Sequence, residues 1–157
     1  SGYKIYRRTG NSSKWVNIAT VSGSNTLVYT DGSVKSGTMY TYTVRAYKGS
    51  ALSAYNKNGS RIVRLTAPVQ YKPSSKASGK LTVRWKKAVG ASGYQIQYAA
   101  SRSMRGARTV STSALTRTLS GLKKGSTCYV RIRSCKKVNG KAYYGTWSSV
   151  KNAKVRK

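Results

Sequence analysis

One carboxylate and two thiols are all that this chain offers to acid–base or nucleophilic chemistry. Asp31 is the only Asp or Glu, Cys128 and Cys135 are the only cysteines, and histidine is absent. Proton transfer near neutral pH falls mostly to His, Asp or Glu. A carboxylate pair cannot be assembled from Asp31 alone, and a Ser or Cys nucleophile would have no imidazole to activate it. Zinc takes Cys, His or carboxylate ligands, and calcium takes several oxygens with anionic ones among them; this inventory builds neither site. No glycine-rich loop joins a strand to a helix as a phosphate cradle. The expectation is a protein that is not an enzyme and has no cofactor or metal.

The chemistry that remains is that of cations and aromatic rings. Thirty-one Lys and Arg face the single acid, for a net charge of +30 over 157 residues, alongside 13 Tyr, 3 Trp and no Phe. Nearly every cation lacks a partner within the chain, so the surface should concentrate near polyanions and lose its grip as salt rises. Two stretches interleave cations with rings. One holds Lys136, Lys137, Lys141, Tyr143 and Tyr144; the other holds Arg45, Tyr47, Lys48, Tyr55, Lys57 and Arg61. Arg131 and Arg133 fall on one side of an alternating run, and Trp147 lies further along the chain. The charge attracts an anion, and the ring offers a flat apolar surface to a sugar or a base. These residues are the candidate polyanion site. The tripeptide Arg105-Gly106-Ala107 lacks the Asp of an integrin-type adhesive motif.

These side chains are positioned by strands. Leu81, Val83 and Trp85 alternate with Thr82, Arg84 and Lys86; Tyr40, Tyr42, Val44 and Ala46 alternate with Thr41, Thr43 and Arg45; Val130 and Ile132 alternate with Arg131 and Arg133. Period two puts one set inward and the Arg, Lys or Thr set outward. Gly, Ser and Asn clusters at 10–13, 22–25 and 90–93 punctuate the runs. Asn139-Gly140 marks a tight hairpin turn. No stretch reads as a helix, and no run approaches the ~20 apolar residues of a membrane span, so no membrane insertion is expected. Short strands with regular turn signals predict an all-β sandwich.

The chain also repeats itself. Ser1-Gly2-Tyr3-Lys4-Ile5 recurs as Ser92-Gly93-Tyr94-Gln95-Ile96, an offset of 91. The segment from Gly37 to Ala46 is echoed from Gly125 to Ser134, an offset of 88. The join falls at Leu65-Thr66-Ala67-Pro68, where proline opens a new strand edge. Two domains are expected, residues 1–66 and 67–157.

These motifs resemble the fibronectin type III family, an immunoglobulin-like β-sandwich. In the second repeat, Ala67-Pro68 resembles the start of strand A and Trp85 the core tryptophan of strand B. Gly93 to Tyr98 resembles strand C, and Leu122 with Gly125 the turn into strand F. In the first, Val34, Gly37, Thr38, Tyr40, Tyr42, Val44 and Ala46 resemble the tyrosine corner and strand F. Trp147-Ser148 resembles the Trp-Ser element that stacks on strand F cations in some domains of the fold. The Tyr- and Lys-rich wording is similar to basic tandem modules on secreted and surface proteins of Gram-positive bacteria.

Two departures from the family pattern carry expectations. Cys128 stands at the tyrosine-corner position of the second repeat. In that repeat 26 residues, 67–92, precede the Gly-Tyr strand, whereas only Ser1 precedes it in the first. The first repeat therefore reads as strands C to G without A and B, either part of a longer array or completed by a strand donated from another chain. The cysteines, seven apart on one strand, point to opposite faces roughly 23 Å apart, beyond disulfide reach. Cys128 is expected as a small buried hydrophobe. Cys135 is expected to be more exposed, its thiolate favoured by Arg133, Lys136 and Lys137.

Three functions stay open on the sequence. The first is an extracellular, cell-surface module for adhesion or wall association. It would bind teichoic acid, acidic, sialylated or sulfated glycans, or extracellular DNA. The second is a passive spacer within a larger surface protein or secreted enzyme. The third is a nucleic-acid-binding protein inside the cell.

Overall fold

A computed structural model describes residues 1–157, which divide into two compact units, Ser1–Arg64 and Leu65–Lys157. Unit 1 holds β1 (Gly2–Thr9), β2 (Val16–Ser22), β3 (Met39–Lys48), β4 (Ala51–Leu52) and β5 (Ser60–Val63). Unit 2 holds β6 (Leu81–Arg84), β7 (Gly93–Ala99), β8 (Arg108–Thr112), β9 (Thr116–Leu119), β10 (Thr127–Val138), β11 (Lys141–Tyr144) and β12 (Lys151–Lys154). There is no helix, and the strand pairs are antiparallel. The chain is all-β, as its alternating pattern requires.

Unit 2 is a two-layer sandwich. One sheet runs β11-β10-β7-β8, with β12 on the same strand β10; the other pairs β6 with β9. Bridges Gln70↔Trp85 and Ser74↔Thr82 add the preceding segment to β6. Leu81, Val83 and Trp85 face Tyr94, Ile96, Cys128, Val130 and Ile132, with Leu119 and Val155 closing the core. Trp85 lies edge-on to Tyr94 at 5.3 Å, and the Tyr94 hydroxyl accepts from the Ala88 N–H at 3.0 Å. Each large aliphatic side chain buried this way contributes roughly 1.5–3 kcal/mol. At the β10–β11 turn, Asn139 (φ 48°) and Gly140 (φ 77°) adopt the left-handed pair that a tight hairpin demands.

Unit 1 repeats the central sheet in the order β2-β1-β3-β4, with β5 also on β3. Its tyrosine corner is made: the Tyr40 hydroxyl accepts from the Lys35 N–H at 2.9 Å. Within the unit nothing forms a second sheet. The strand expected ahead of β3 does not form, since residues 25–38 carry no strand. With no neighbour to pair, its backbone gains no ladder bonds to offset the entropy of extension. A further correction concerns the face read as outward. Thr41 and Thr43 are buried, at 1% and 6% exposure, while Val44 on the apolar side stands 48% exposed.

Asp31 sits at the edge of that apolar side in a closed network. Its carboxylate accepts from Arg7 Nη1 (2.7 Å), the Tyr42 hydroxyl (2.8 Å) and both the N–H and hydroxyl of Ser33 (2.9 and 2.7 Å). Burial alone would raise the carboxyl pKa, but the donors from Ser33, Tyr42 and Arg7 outweigh it and hold the carboxyl well below the usual range. Burial and the same carboxylate push the Tyr42 phenol up to about 12.

Candidate functional site

Trp147 is placed by the segment that links β11 to β12. Gly145 N–H donates to Ser134 O (2.9 Å) and Ser148 N–H to Ile132 O (2.7 Å), while the Ser148 hydroxyl accepts from Ile132 N–H (3.0 Å). This clamp lays the indole along the outer face of β10, where the alternation puts Arg131 and Arg133. The guanidinium carbons lie 4.7 and 4.5 Å from the Trp147 ring centre, and Arg133 is also 4.1 Å from that of Tyr144.

Neutral amides set the planes of both guanidinia. Arg131 donates through Nε and Nη2 to Gln97 Oε1 (2.9 and 2.7 Å), and Arg133 likewise to Gln95 Oε1 (3.0 and 2.7 Å). The pairs follow the β10–β7 register, Arg131↔Gln97 and Arg133↔Gln95. No carboxylate joins them, and each Nη1 is left without a partner in the chain. A guanidinium fixed in this way presents its remaining donors with little rotamer freedom to lose.

The rest of the expected cluster divides between two faces. Tyr144 pairs with Cys135 in the β10–β11 register, so it lies on the ladder face; Lys137 shares that face by alternation. Lys136 pairs with Tyr143 and Val138 with Lys141, which puts Lys136, Lys141 and Tyr143 on the other side. There Lys141 Nζ sits 5.6 Å from the Tyr143 ring centre. The sequence grouping therefore holds in the chain but not across the hairpin.

Unit 1 carries a second outer-face cluster. Arg45 stacks on Tyr55 at 5.3 Å and donates through Nε to Ser53 O at 2.7 Å. Lys4 Nζ stands 6.0 Å from the Tyr47 ring centre. Arg61 joins this face through its pairing with Thr41; Lys48 alternates to the other side, and Lys57 is exposed in the turn before β5. The sequence reading missed Trp15, which meets Tyr55 edge-on at 6.3 Å and carries Arg8 at 4.7 Å. Trp15, Tyr6, Tyr55 and Arg45 ring a cleft of about 100 Å³ over Thr43, whose buried hydroxyl has no partner. Gly59 seats the indole: at φ +65°, a Cβ there would meet Trp15 Cη2 at 2.8 Å and Tyr42 O at 2.6 Å. The signal for Trp15 was a lone indole between turn residues, outside any alternating run.

Cys128 is buried and Cys135 the more exposed, as expected, but the Cys135 thiolate differs from the expectation. Both are free, Cys128 buried and Cys135 half-buried. Burial raises the Cys135 pKa and outweighs the opposing pull of Lys137 and Arg133, so the thiolate is not favoured. No three His, Cys, Asp or Glu side chains gather as a metal site, and no helix is long and apolar enough to cross a membrane.

The layers, the tyrosine corner and the Trp-Ser clamp define a fold of the fibronectin type III class. Among solved structures, the chain is similar to the FN1-FN3 domains of chicken CNTN1, with a TM-score of 0.51 and 20% identity over 99% of this chain. It spans 56% of the length of that fragment. It is also similar to the FN5 domain of Drosophila Lar, with a TM-score of 0.47 and 16% identity, covering 59% of this chain and 98% of that domain. No protein-family model matches the sequence, and neither does any curated protein.

Proposed function

We propose that this chain is a non-catalytic, tandem β-sandwich module of a longer extracellular protein, held to anionic polymers by its outer faces. The polymers are teichoic acid and acidic or sulfated glycans, and the setting is the surface of a Gram-positive bacterium. One observation carries the reading: Arg131 and Arg133 are locked between rings and amides with their Nη1 donors unpaired, in a chain with 31 cations and one acid. A sulfate, phosphate or carboxylate supplies what no residue of the chain does.

The test is a salt titration of binding to teichoic acid, heparin and duplex DNA. Affinity for the first two should fall linearly on a log–log plot, and Arg131→Gln with Arg133→Gln should flatten the slope by about 1 per cation removed. Weak, salt-independent binding to all three would leave a passive spacer. Tightest binding to DNA would favour a nucleic-acid-binding protein.

A further inference from the structure

We propose that the cleft at Trp15 binds one carboxylated sugar of an acidic glycan. The proposal rests on the reading that the outer faces meet anionic polymers, and it names the chemical unit that one of those faces recognises. The two units diverge at a matched pair on this face. In unit 2, Arg131 faces Gln97 across the β10–β7 ladder, and the guanidinium, the amide and the Trp147 indole fill the space outside it. In unit 1 the repeat offsets of 88 and 91 put Thr43 and Tyr6 in that place, again as a pair. Threonine is too short to fill the room an arginine takes, and a cleft of about 100 Å³ opens there.

Three rings wall the cleft, and a cation and a hydroxyl complete it. Tyr6, Trp15 and Tyr55 supply the rings, with Trp15 edge-on to Tyr55 at 6.3 Å. Arg8 over the indole at 4.7 Å and the close seat at Gly59 hold Trp15 in place. Arg45 is the cation. Ser53 O takes its Nε at 2.7 Å and Tyr55 lies against its guanidinium at 5.3 Å, which leaves the Nη groups to donate. Thr43 is 6% exposed, and its hydroxyl has no partner in the chain. A buried hydroxyl left unpaired destabilises the fold, and an oxygen seated in the cleft removes that cost.

These groups select the ligand. The C–H face of a pyranose suits the rings, a sugar oxygen suits Thr43, and a carboxylate suits the Nη donors of Arg45. The volume equals that of about three waters, enough for the carboxylate and the adjoining ring carbons of one sugar but not for a stretch of polymer. Lys4, which pairs with Arg45, and Arg61, which pairs with Thr41, add positive charge to the same face. A quaternary ammonium, the other guest of ring-lined cages, is repelled, because Arg8 and Arg45 already stack on two of the rings. A bare inorganic anion leaves all three rings unused.

The probe is glucuronic acid added to the full chain. The indole N–H signal of Trp15 is followed by nuclear magnetic resonance and identified by its loss in Trp15→Phe. Glucuronate should shift that signal saturably with a Kd of about 1–10 mM, in keeping with so small a ligand, and glucose should bind at least about tenfold more weakly. Thr43→Val should weaken glucuronate binding about five- to tenfold, yet melt no lower than the parent chain, because it removes the unpaired hydroxyl. Arg45→Gln should erase the preference for glucuronate over glucose. Three results would overturn the proposal. One is a Trp15 signal that stays still at about 50 mM glucuronate, well above the expected Kd. Another is sodium sulfate moving it as far as glucuronate does. The third is binding indifferent to Thr43→Val. Salt-dependent binding of long polyanions with a still Trp15 signal removes this site and leaves the broader reading standing. A saturable Trp15 shift with salt-independent polymer binding does the reverse.

Discussion

Ile132 and Val44 occupy corresponding places on the long central strands of the two units, and they meet opposite fates. Ile132 is fully buried under a second sheet, and Val44 is 48% exposed. The strands, their partners and their register agree. Alternation therefore specifies a strand and its two faces, but not which face is dry. Burial belongs to whatever lies across the face. In unit 1 the outer side is the better covered at mid-strand, where Thr41 and Thr43 sit beneath Trp15 and the turn at Gly59.

The sharpest break in this comparison comes from paired truncations. Ile132→Ala should destabilise unit 2 by about 2–5 kcal/mol, since it leaves a cavity in a closed core. Val44→Ala should cost unit 1 less than about 1 kcal/mol, because its methyls are half in water already. Urea unfolding of each variant, followed separately for the two units by hydrogen exchange, checks both values. Equal losses would mean that the open face is covered in solution.

Next in size is the single carboxylate. Asp31→Asn should destabilise unit 1 by about 1–3 kcal/mol by breaking a half-buried network of charge-assisted bonds, and leave unit 2 unchanged. The pH dependence follows from the depressed carboxyl. Its stabilisation is complete above the ordinary Asp pKa of roughly 3.9 and is lost as pH falls toward the lower folded value. The Tyr42 phenol acts at the other end: its contribution is complete below roughly pH 10 and is lost as pH rises through about 12. Unit 2 has no acidic side chain, so acid titration to pH 2 should unfold unit 1 preferentially.

A smaller contrast lies at the corner. Tyr40→Phe removes the bond to Lys35 N–H and should cost unit 1 about 1 kcal/mol. Unit 2 has Cys128 there and no such bond to lose; its thiol is instead a buried apolar group whose pKa burial raises. Thermal unfolding of the two variants Tyr40→Phe and Cys128→Ala would show whether one corner relies on a hydrogen bond and the other on packing. The smallest effect is on the ladder: Arg131→Gln should cost about 0.5–1 kcal/mol, the value of one exposed cation–π contact. A larger loss would make the ladder part of the core rather than a presented surface.

Much of the architecture could be read without coordinates. The alternation at Leu81, Val83 and Trp85 named one layer of unit 2, and that at Val130 and Ile132 named the other. Asn139-Gly140 named its hairpin because few residue pairs tolerate that turn. Arg131 and Arg133 were legible as neighbours on one face because alternate positions of a strand share a face, and the resemblance of Trp147-Ser148 to the family's Trp-Ser element supplied the ring that stacks on them. Gln95 and Gln97 were not, because a neutral amide gains meaning only from the side chain across the sheet. Trp15 and Arg7 were hidden for a similar reason. Each acts through a partner far off in sequence, Tyr55 and Asp31 respectively.

Composition and periodicity by themselves determined an all-β, repeated, strongly cationic chain. Those properties are sums or short-range spacings, and every residue contributes to them independently of the rest. Only the tertiary structure decided that Cys135 is too buried for its neighbouring cations to favour its thiolate, and that the Lys136–Tyr144 cluster splits between two faces. It alone decided that one of two similar sheets lies open. Solvent exposure and hydrogen-bond closure depend on which strand lies opposite, and that is a property of the assembled layers rather than of any local run of residues.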